Sequence, residues 1–204
     1  MNLGFELDTQ SLYATLLATA WPALWDVATV LTEAAATVLL ADALIALVHF
    51  LMDNFGRPTA PFVGKVFAAN DLHHVKPRAF LEHGPIMNSR ETVGIGVGTV
   101  LFAFMVDMLT WHVVLFAVAV GGVNVVHRFA HQSEAENGRL VTFLQRCYMF
   151  VPKHQHGRHH TGTQDTHYAA LTGFLNPVFE SLGVFPALKM AIQVVTCVRA
   201  KSYV

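Results

Sequence analysis

The sequence predicts an all-α fold: an integral membrane helical bundle of three transmembrane helices, or four in the alternative reading, with a histidine-rich cap on the cytoplasmic side. Three observations lead to this prediction. Of the 204 residues, 53% are hydrophobic and only 13% are charged, which lies outside the averages of soluble globular domains. Lysine and arginine are confined to two stretches, and histidine is over-represented with twelve residues. We expect a single domain over residues 1–204.

Two apolar segments precede the first polar stretch. Residues 12–24 are short for a span and are interrupted by Pro22. We therefore interpret residues 1–27 as an interfacial or re-entrant segment, with a short true span as the alternative. Residues 29–50 would form a helix of about 33 Å, which is long enough to cross a bilayer. This segment is the first predicted span.

A further apolar region follows the polar stretch at residues 93–126, a run of thirty-four residues. One helix of that length would measure about 51 Å, well beyond the roughly 30 Å hydrocarbon core. We therefore predict two short spans with a turn near residues 107–111. Residues 140–151 and 186–198 are predicted as amphipathic or interfacial helices. The small residues that would let the two spans approach closely are Gly94, Gly96, Gly98, Gly121 and Gly122.

The distribution of charge predicts the topology. All thirteen lysine and arginine residues lie within residues 57–90 and 128–201. By the positive-inside rule both stretches are cytoplasmic, which three spans satisfy if the N-terminus is outside. Both histidine-bearing segments then emerge on the same face of the membrane. The net charge of −1 provides no basic field for nucleic acid, so we expect no nucleic-acid partner.

Histidines recur at intervals that bring imidazoles together. Spacings of three and four residues place side chains on one face of a helix, as in residues 127–131 and 156–160. Nitrogen and oxygen ligands suit iron, copper, zinc or nickel, so residue type does not choose the metal. Ten imidazoles exceed the needs of one ion, which favours two ions. The ten candidate ligands are His49, His73, His74, His83, His127, His131, His156, His159, His160 and His167.

Two carboxylates accompany the first of these histidines. Asp42 and Asp53 lie seven residues before and four residues after His49, so the three share one helix face. We expect both carboxylates to orient ligating imidazoles through the other ring nitrogen. A metal transporter also places histidine and aspartate in and near spans, and it remains an alternative. Transporters, however, line a pathway across the membrane with polar groups, whereas these histidines collect on one side.

Five groups of residues between positions 41 and 188 form a series. They are Asp42 with His49 and Asp53; His73-His74 with Pro77 and His83; Asn124 with His127 and His131; His156 with His159 and His160; and Thr172-Gly173-Phe174-Leu175-Asn176-Pro177. In this order they resemble the Kua-type lipid desaturase family. That family includes plasmanylethanolamine desaturases and plastid desaturases that act on phosphatidylglycerol.

The resemblance implies a non-haem di-iron enzyme with O2 as co-substrate, reduced by a donor such as cytochrome b5 or ferredoxin with its reductase. Its substrate would be a phospholipid in the membrane. We expect conversion of a plasmanyl to a plasmenyl ether lipid, with a fatty-acyl desaturase as the close alternative. A di-iron hydroxylase would share the metal site. Lys76, Arg78 and Arg158 are the candidate contacts to the lipid head group.

The sequence departs from the family pattern at three positions. Gln155 stands where many relatives have a further histidine, and Phe50 stands where tryptophan is usual. Lys76 replaces an acidic residue after the first histidine pair. The first two changes leave enough imidazoles for two metals, whereas the third bears on contacts to the substrate or a partner.

Overall fold

The computed structural model describes residues 9–162 and 164–201, and every regular element within these ranges is helical. The all-α prediction is therefore confirmed. The chain order is α1 (Thr9–Phe55), α2 (Gly64–Val75), a 3-10 helix (Pro77–Leu81), α3 (Pro85–Met105), α4 (Trp111–His131), α5 (Glu134–Arg146), α6 (Lys153–His159), α7 (Leu175–Ser181) and α8 (Val184–Thr196).

Helix α1 is continuous over 47 residues and passes through Pro22 without ending. The backbone of residues 12–24 is thus part of α1 rather than a separate helix, and its position relative to the bilayer stays a prediction. A proline removes one backbone hydrogen bond and usually bends a helix, yet α1 continues on both sides of Pro22. Leu24–Phe55 is long and apolar enough to span a membrane, and it contains the predicted span 29–50.

Residues 93–126 lie in two helices, α3 and α4, joined by a turn at residues 106–110. Helix α4 has the length and composition of a span. Helix α3 does not meet that test, because its first turns are polar and its apolar part is short. Helices α7 and α8, which meet at 61°, can together form a bent span. The described residues therefore offer two or three candidate spans, and the third differs from the predicted one.

Helices α3 and α4 are antiparallel and approach closely at Gly96. A Cβ atom there would lie 2.6 Å from the carbonyl oxygen of Ala117, so only glycine fits without a shift. Nearby, the Thr92 hydroxyl donates to the carbonyl oxygen of Gly121 at 3.0 Å. The predicted close approach is confirmed at Gly96. A Cβ atom would meet nothing within 4 Å at Gly94, Gly98 and Gly122.

Helices α1 and α4 run in the same direction. Nε2 of His112, at the start of α4, lies 3.1 Å from Oε2 of Glu33, midway along α1. Near their C-terminal ends, the rings of His49 and His127 are 6.2 Å apart. The histidine-bearing turns of both helices therefore lie at the same end of the bundle, which brings their imidazoles together.

The two short helices predicted over residues 140–151 and 186–198 are present as α5 and α8 with shifted bounds. Helix α5 begins earlier than predicted because Ser133 and Glu136 form a capping box. The Glu136 carboxylate accepts from the backbone N–H of Ser133 at 2.7 Å, and the Ser133 hydroxyl accepts from the N–H of Glu136 at 3.3 Å.

A buried irregular segment, residues 168–173, lies against α1 and is held there by Asp42. The fully buried carboxylate accepts from the backbone N–H groups of Leu171 and Thr172, each at 3.0 Å. It also accepts from the Thr172 hydroxyl at 2.6 Å. Asp42 was expected beside an imidazole, but in the structure it secures this segment to the membrane helix.

We expect the substitution Asp42→Ala to lower the thermal stability of the detergent-solubilised protein strongly. It would leave two buried N–H groups and one buried hydroxyl without their acceptor, at about 1–3 kcal/mol each. The unfolding temperature is the measurement, with Thr172→Val as the matched variant that removes one hydroxyl and should cost less. An unchanged unfolding temperature in Asp42→Ala would show that the carboxylate does not hold the segment.

Candidate metal centre

Nine side chains of ligand type meet at the common end of α1 and α4. They come from α1, α2, α4 and α6, with His160 directly after the last turn of α6. They form two groups, and within each group the candidate ligand atoms lie within 4.8 Å of one another. The five-histidine group is His73, His127, His131, His156 and His160, and the mixed group is His49, Asp53, His74 and His159.

The Nε2 atoms of the five-histidine group point at one another. His156 Nε2 lies 2.7 Å from that of His127, 2.8 Å from that of His131 and 3.0 Å from that of His160. His73 Nε2 lies 3.1 Å from those of His127 and His131. Each Nε2 carries at most one proton, so these contacts cannot all be hydrogen bonds. Two ligands at right angles, each about 2.1 Å from an ion, lie about 3.0 Å apart, which matches this spacing.

The ring positions of this group form a square pyramid with His131 at its apex. The His131 ring is 4.5 to 5.0 Å from those of the other four. Around the base, the distances are 4.8 Å for His73–His127, 4.3 Å for His127–His156, 4.7 Å for His156–His160 and 4.6 Å for His160–His73. The His73–His156 diagonal is longer, at 6.2 Å. Five imidazoles in this arrangement could hold one ion between them.

Burial keeps these imidazoles neutral. Desolvation, followed by the nearby imidazoles, lowers the pKa of His73 to about 2 and holds the pKa of His156 well below its usual value. The same causes lower the pKa of His160. All three rings are therefore uncharged at neutral pH, and each has a nitrogen lone pair available for a cation.

The mixed group surrounds the buried carboxylate of Asp53. Its Oδ1 lies 3.1 Å from Nε2 of His74, and its Oδ2 lies 3.4 Å from Nε2 of His49 and 3.3 Å from Nε2 of His159. His49 and His159 each donate from Nδ1 to a backbone carbonyl oxygen, at 3.0 and 2.7 Å. In their neutral forms, these rings therefore turn an Nε2 lone pair towards a carboxylate oxygen. A bound cation would relieve the repulsion between the two acceptors.

Asp53 lies among the ligand atoms, whereas the sequence led us to expect it behind an imidazole. Its Oδ1 accepts a hydrogen bond from Nδ2 of Asn70 at 2.6 Å. Sequence reasoning missed Asn70, although it precedes His73 and His74 by three and four residues on α2. Helix α2 thus supplies a ligand-type histidine to each group and an amide that orients the carboxylate.

The two groups lie side by side. The ring of His160 is 5.0 Å from that of His74 and 5.3 Å from that of His159. The rings of His156 and His159 are 5.6 Å apart, and the ring of His127 is 6.2 Å from that of His49 on α1. These contacts come from the base of the pyramid, so the base lies next to the mixed group. The arrangement fits the expected two ions.

Two of the ten predicted ligands, His83 and His167, lie outside both groups. His83 is exposed, and its carbonyl oxygen accepts from Arg128 at 2.7 Å. Nδ1 of His167 lies 2.7 Å from the hydroxyl oxygen of Thr166, and the residue has a positive φ of 57°. Neither has another histidine three or four residues away on a helix, which is the pattern that marks most members of the groups.

Gln155 supports the site from outside the two groups. Its Nε2 donates to the carbonyl oxygen of Gly173 at 3.1 Å, and its Oε1 accepts from Asn176 at 3.2 Å. It therefore ties α6 to the segment that Asp42 holds. A histidine at this position is not needed to complete either group.

A pocket of about 240 Å³ reaches the five-histidine group. Arg78 and Lys153 line it, and Arg78 also donates to a backbone carbonyl oxygen at the end of α4 at 3.1 Å. Of the three predicted head-group contacts, Arg78 lines this pocket, while Lys76 and Arg158 are exposed outside its lining. Sequence reasoning missed Lys153. The other lining residues are Pro77, Ala130, His131, His156, Gly157 and His160.

Residues 38–203 match a family model described as a lipid desaturase domain. The chain belongs to this family. The resemblance seen in the sequence is thereby confirmed over most of the chain, and both histidine groups lie within the matched residues. Its apolar helices agree with integration into a membrane.

Several relatives of this lipid desaturase domain share between a quarter and a third of its residues. A probable fatty acid desaturase of Acanthamoeba polyphaga mimivirus is 29% identical over 81% of this chain and 84% of its own length. Plasmanylethanolamine desaturase 1 of Mus musculus is 27% identical over 95% of this chain and 75% of its own length. The chloroplastic fatty acid desaturase 4 of Arabidopsis thaliana is 28% identical over 81% of this chain and 52% of its own length. No solved structure matches the chain.

Proposed function

We propose that the protein is a membrane di-iron desaturase that converts a plasmanyl ether lipid to a plasmenyl lipid by forming a vinyl ether double bond. The observation that carries this proposal is the pair of adjacent ligand groups at one end of two apolar helices. Eight imidazoles and one carboxylate form a donor set that suits iron. The similarity to a plasmanylethanolamine desaturase over 95% of the chain supports the ether lipid as substrate.

The chemistry requires an oxidant because an unactivated C–H bond does not yield to a side-chain acid or base of ordinary pKa. Bound iron would supply the activation of O2 that removes two hydrogens from the lipid chain. Reduction of O2 to two waters takes four electrons, and the lipid provides two of them. The other two must come from an external donor such as cytochrome b5 or ferredoxin with its reductase.

The residues of the chain would bind and orient the ions and keep bulk water away. Imidazoles and the Asp53 carboxylate would be the ligands, and backbone carbonyls fix the rings of His49 and His159. Most of the nine ligand-type side chains are buried, which limits the access of water. The Asp42 contact and the Gln155 contacts hold the 168–173 segment against these ligands.

The position of the double bond would follow from where the lipid head group is held. Lys153 and Arg78 line the pocket beside the five-histidine group and could meet a phosphate, although Arg78 also pairs with Glu136 at 2.9 Å. The alkyl chain would reach the ligand groups from the surrounding lipid. By the positive-inside rule, this end of the bundle faces the cytoplasm, where the electron donor would also bind.

A fatty-acyl desaturase is the second candidate, because the mimiviral and Arabidopsis relatives carry that description. A hydroxylase would use the same donor set and differ in the final step. A metal transporter is disfavoured because the ligand groups collect at one end of the helices. Product analysis separates the ether-lipid desaturase, the fatty-acyl desaturase and the hydroxylase.

Lipid mass spectrometry tests the proposal directly. We expect expression in a host that lacks vinyl ethers, but is fed alkylglycerol, to yield ether lipids lighter by two mass units that release aldehyde in acid. The matched control is the same host expressing His156→Ala. A change confined to acyl chains would favour the second candidate, and a gain of sixteen mass units would favour a hydroxylase. Unchanged lipids in the presence of a competent electron donor would contradict desaturation.

A further inference from the structure

Helix α2 has two chemically different faces. One face is directed at the ligand groups through Asn70, His73 and His74. The other face is exposed. Of the six exposed residues of α2, five are apolar, and Lys65 in its first turn is the sixth. The five apolar residues are Val66, Ala68, Ala69, Leu72 and Val75.

This exposed face is unlike that of a helix at a water-facing surface. A helix packed on one side against its protein carries charged and polar residues on the other side, where water solvates them. On α2 the outer face is apolar, and lysines occur only at its two ends, Lys65 in the first turn and Lys76 directly after the last. Lysines in such positions can bury their aliphatic stems and extend their ammonium groups to lipid phosphates.

The segment before α2 continues the apolar surface. Phe62 is fully exposed and Val63 is also exposed. Phe62 has a positive φ of 64°, a conformation that is unfavourable for a bulky side chain. The local backbone therefore holds an aromatic ring outward, where in water it would have no favourable contact. Apolar surroundings for this ring would offset the cost of the unfavourable backbone conformation.

We propose that α2 and Phe62 lie in the interfacial layer of the bilayer, with the apolar face of α2 on the acyl chains. The lipid surface is favoured as the occupant because α2 packs against a candidate membrane-spanning helix and follows it closely in the chain. Only residues 56–63 separate α2 from the apolar span of α1, and the two helices pack together. Basic residues at both ends of α2 match the anionic head groups.

This placement gives the bilayer a part in arranging the ligand groups. His73 and His74 belong to different groups, and both lie on the protein side of α2. Lipid packed on the outer side of the helix would hold both side chains at the depth of the head groups. The inference does not rest on the proposed reaction, because the position of α2 can be measured without metal or substrate.

Fluorescence quenching at single labelled cysteines tests the proposal. The exposed Cys147 and Cys197 are first replaced by serine in the full chain. Leu72→Cys then carries a bimane label, and the protein is reconstituted in bilayers of phosphatidylcholine and phosphatidylglycerol. We expect quenching by lipids brominated on their acyl chains to be several-fold stronger than at the control Ala135→Cys, an exposed site between two glutamates on α5.

Quenching by aqueous iodide should follow the opposite order. A label at position 72 as open to iodide as the control would overturn the proposal and assign this face to water. A label protected from both quenchers would also overturn it, in favour of a second copy or another protein partner. Ala69→Cys, on the same face of α2, provides a second reading if Leu72→Cys fails to fold.

Discussion

The substitution His156→Ala is expected to abolish product formation and to remove about one of the two irons that we propose for each chain. The His156 side chain is fully buried, and its Nε2 lies within 3.0 Å of three other Nε2 atoms. Alanine would leave a gap in the base of the pyramid that no neighbouring side chain fills. Loss of an outer partner of a ligand already costs about 10–100-fold, so loss of a ligand should exceed 100-fold.

The measurements are iron per chain and product formed by purified protein supplied with a reductant. His154→Ala is the matched control, because His154 is an exposed histidine on the same helix and lies outside both groups. It should retain the iron content and activity of the unsubstituted chain. Full iron and full activity in His156→Ala would remove this residue from the metal site.

The substitution Asp53→Asn is expected to have the second large effect. It preserves the shape of the side chain but removes the only negative charge of the mixed group, which would leave three imidazoles and a neutral amide. If the carboxylate is a ligand, the chain should lose about one iron and more than 100-fold of its activity. If it only orients imidazoles, both irons should remain, with a loss of about 10–100-fold.

Asn70→Ala is the companion variant for Asp53. It removes the amide that donates to Oδ1 at 2.6 Å but leaves the carboxylate in place. A smaller decrease in activity, with both irons retained, is expected. Equal losses in Asn70→Ala and Asp53→Asn would mean that orientation, rather than ligation, explains the role of the carboxylate.

Short, regular spacing marks most of the predicted ligands that the structure brings together. His127 and His131 lie one helical turn apart on α4 and enter the same group. The spacing of His156, His159 and His160 predicted that these imidazoles lie close together. It did not predict that they divide between two groups, with His159 in the mixed group and the other two in the five-histidine group. The group that each ring joins depends on which neighbouring helix it meets, and that is decided by packing between distant parts of the chain.

Distance along a helix explains the different outcomes for the two aspartates. Both share a helix face with His49, but Asp42 is seven residues away, or about 10 Å along the axis, whereas Asp53 is one turn away. Only Asp53 can reach the same ion as His49. The fold was likewise predictable where length decided it, as for residues 93–126. The passage of α1 through Pro22 was not, because propensity at one residue does not determine the course of a long helix.

Helices α2 and α6 each contribute to both ligand groups, α2 through the consecutive residues His73 and His74. A rotation of α2 about its axis moves both of these side chains at once. An ion held by one group therefore restricts the freedom of the helices that complete the other. Metal uptake should consequently be cooperative: the first ion lowers the entropic cost of ordering the second site, even without direct contact between the ions.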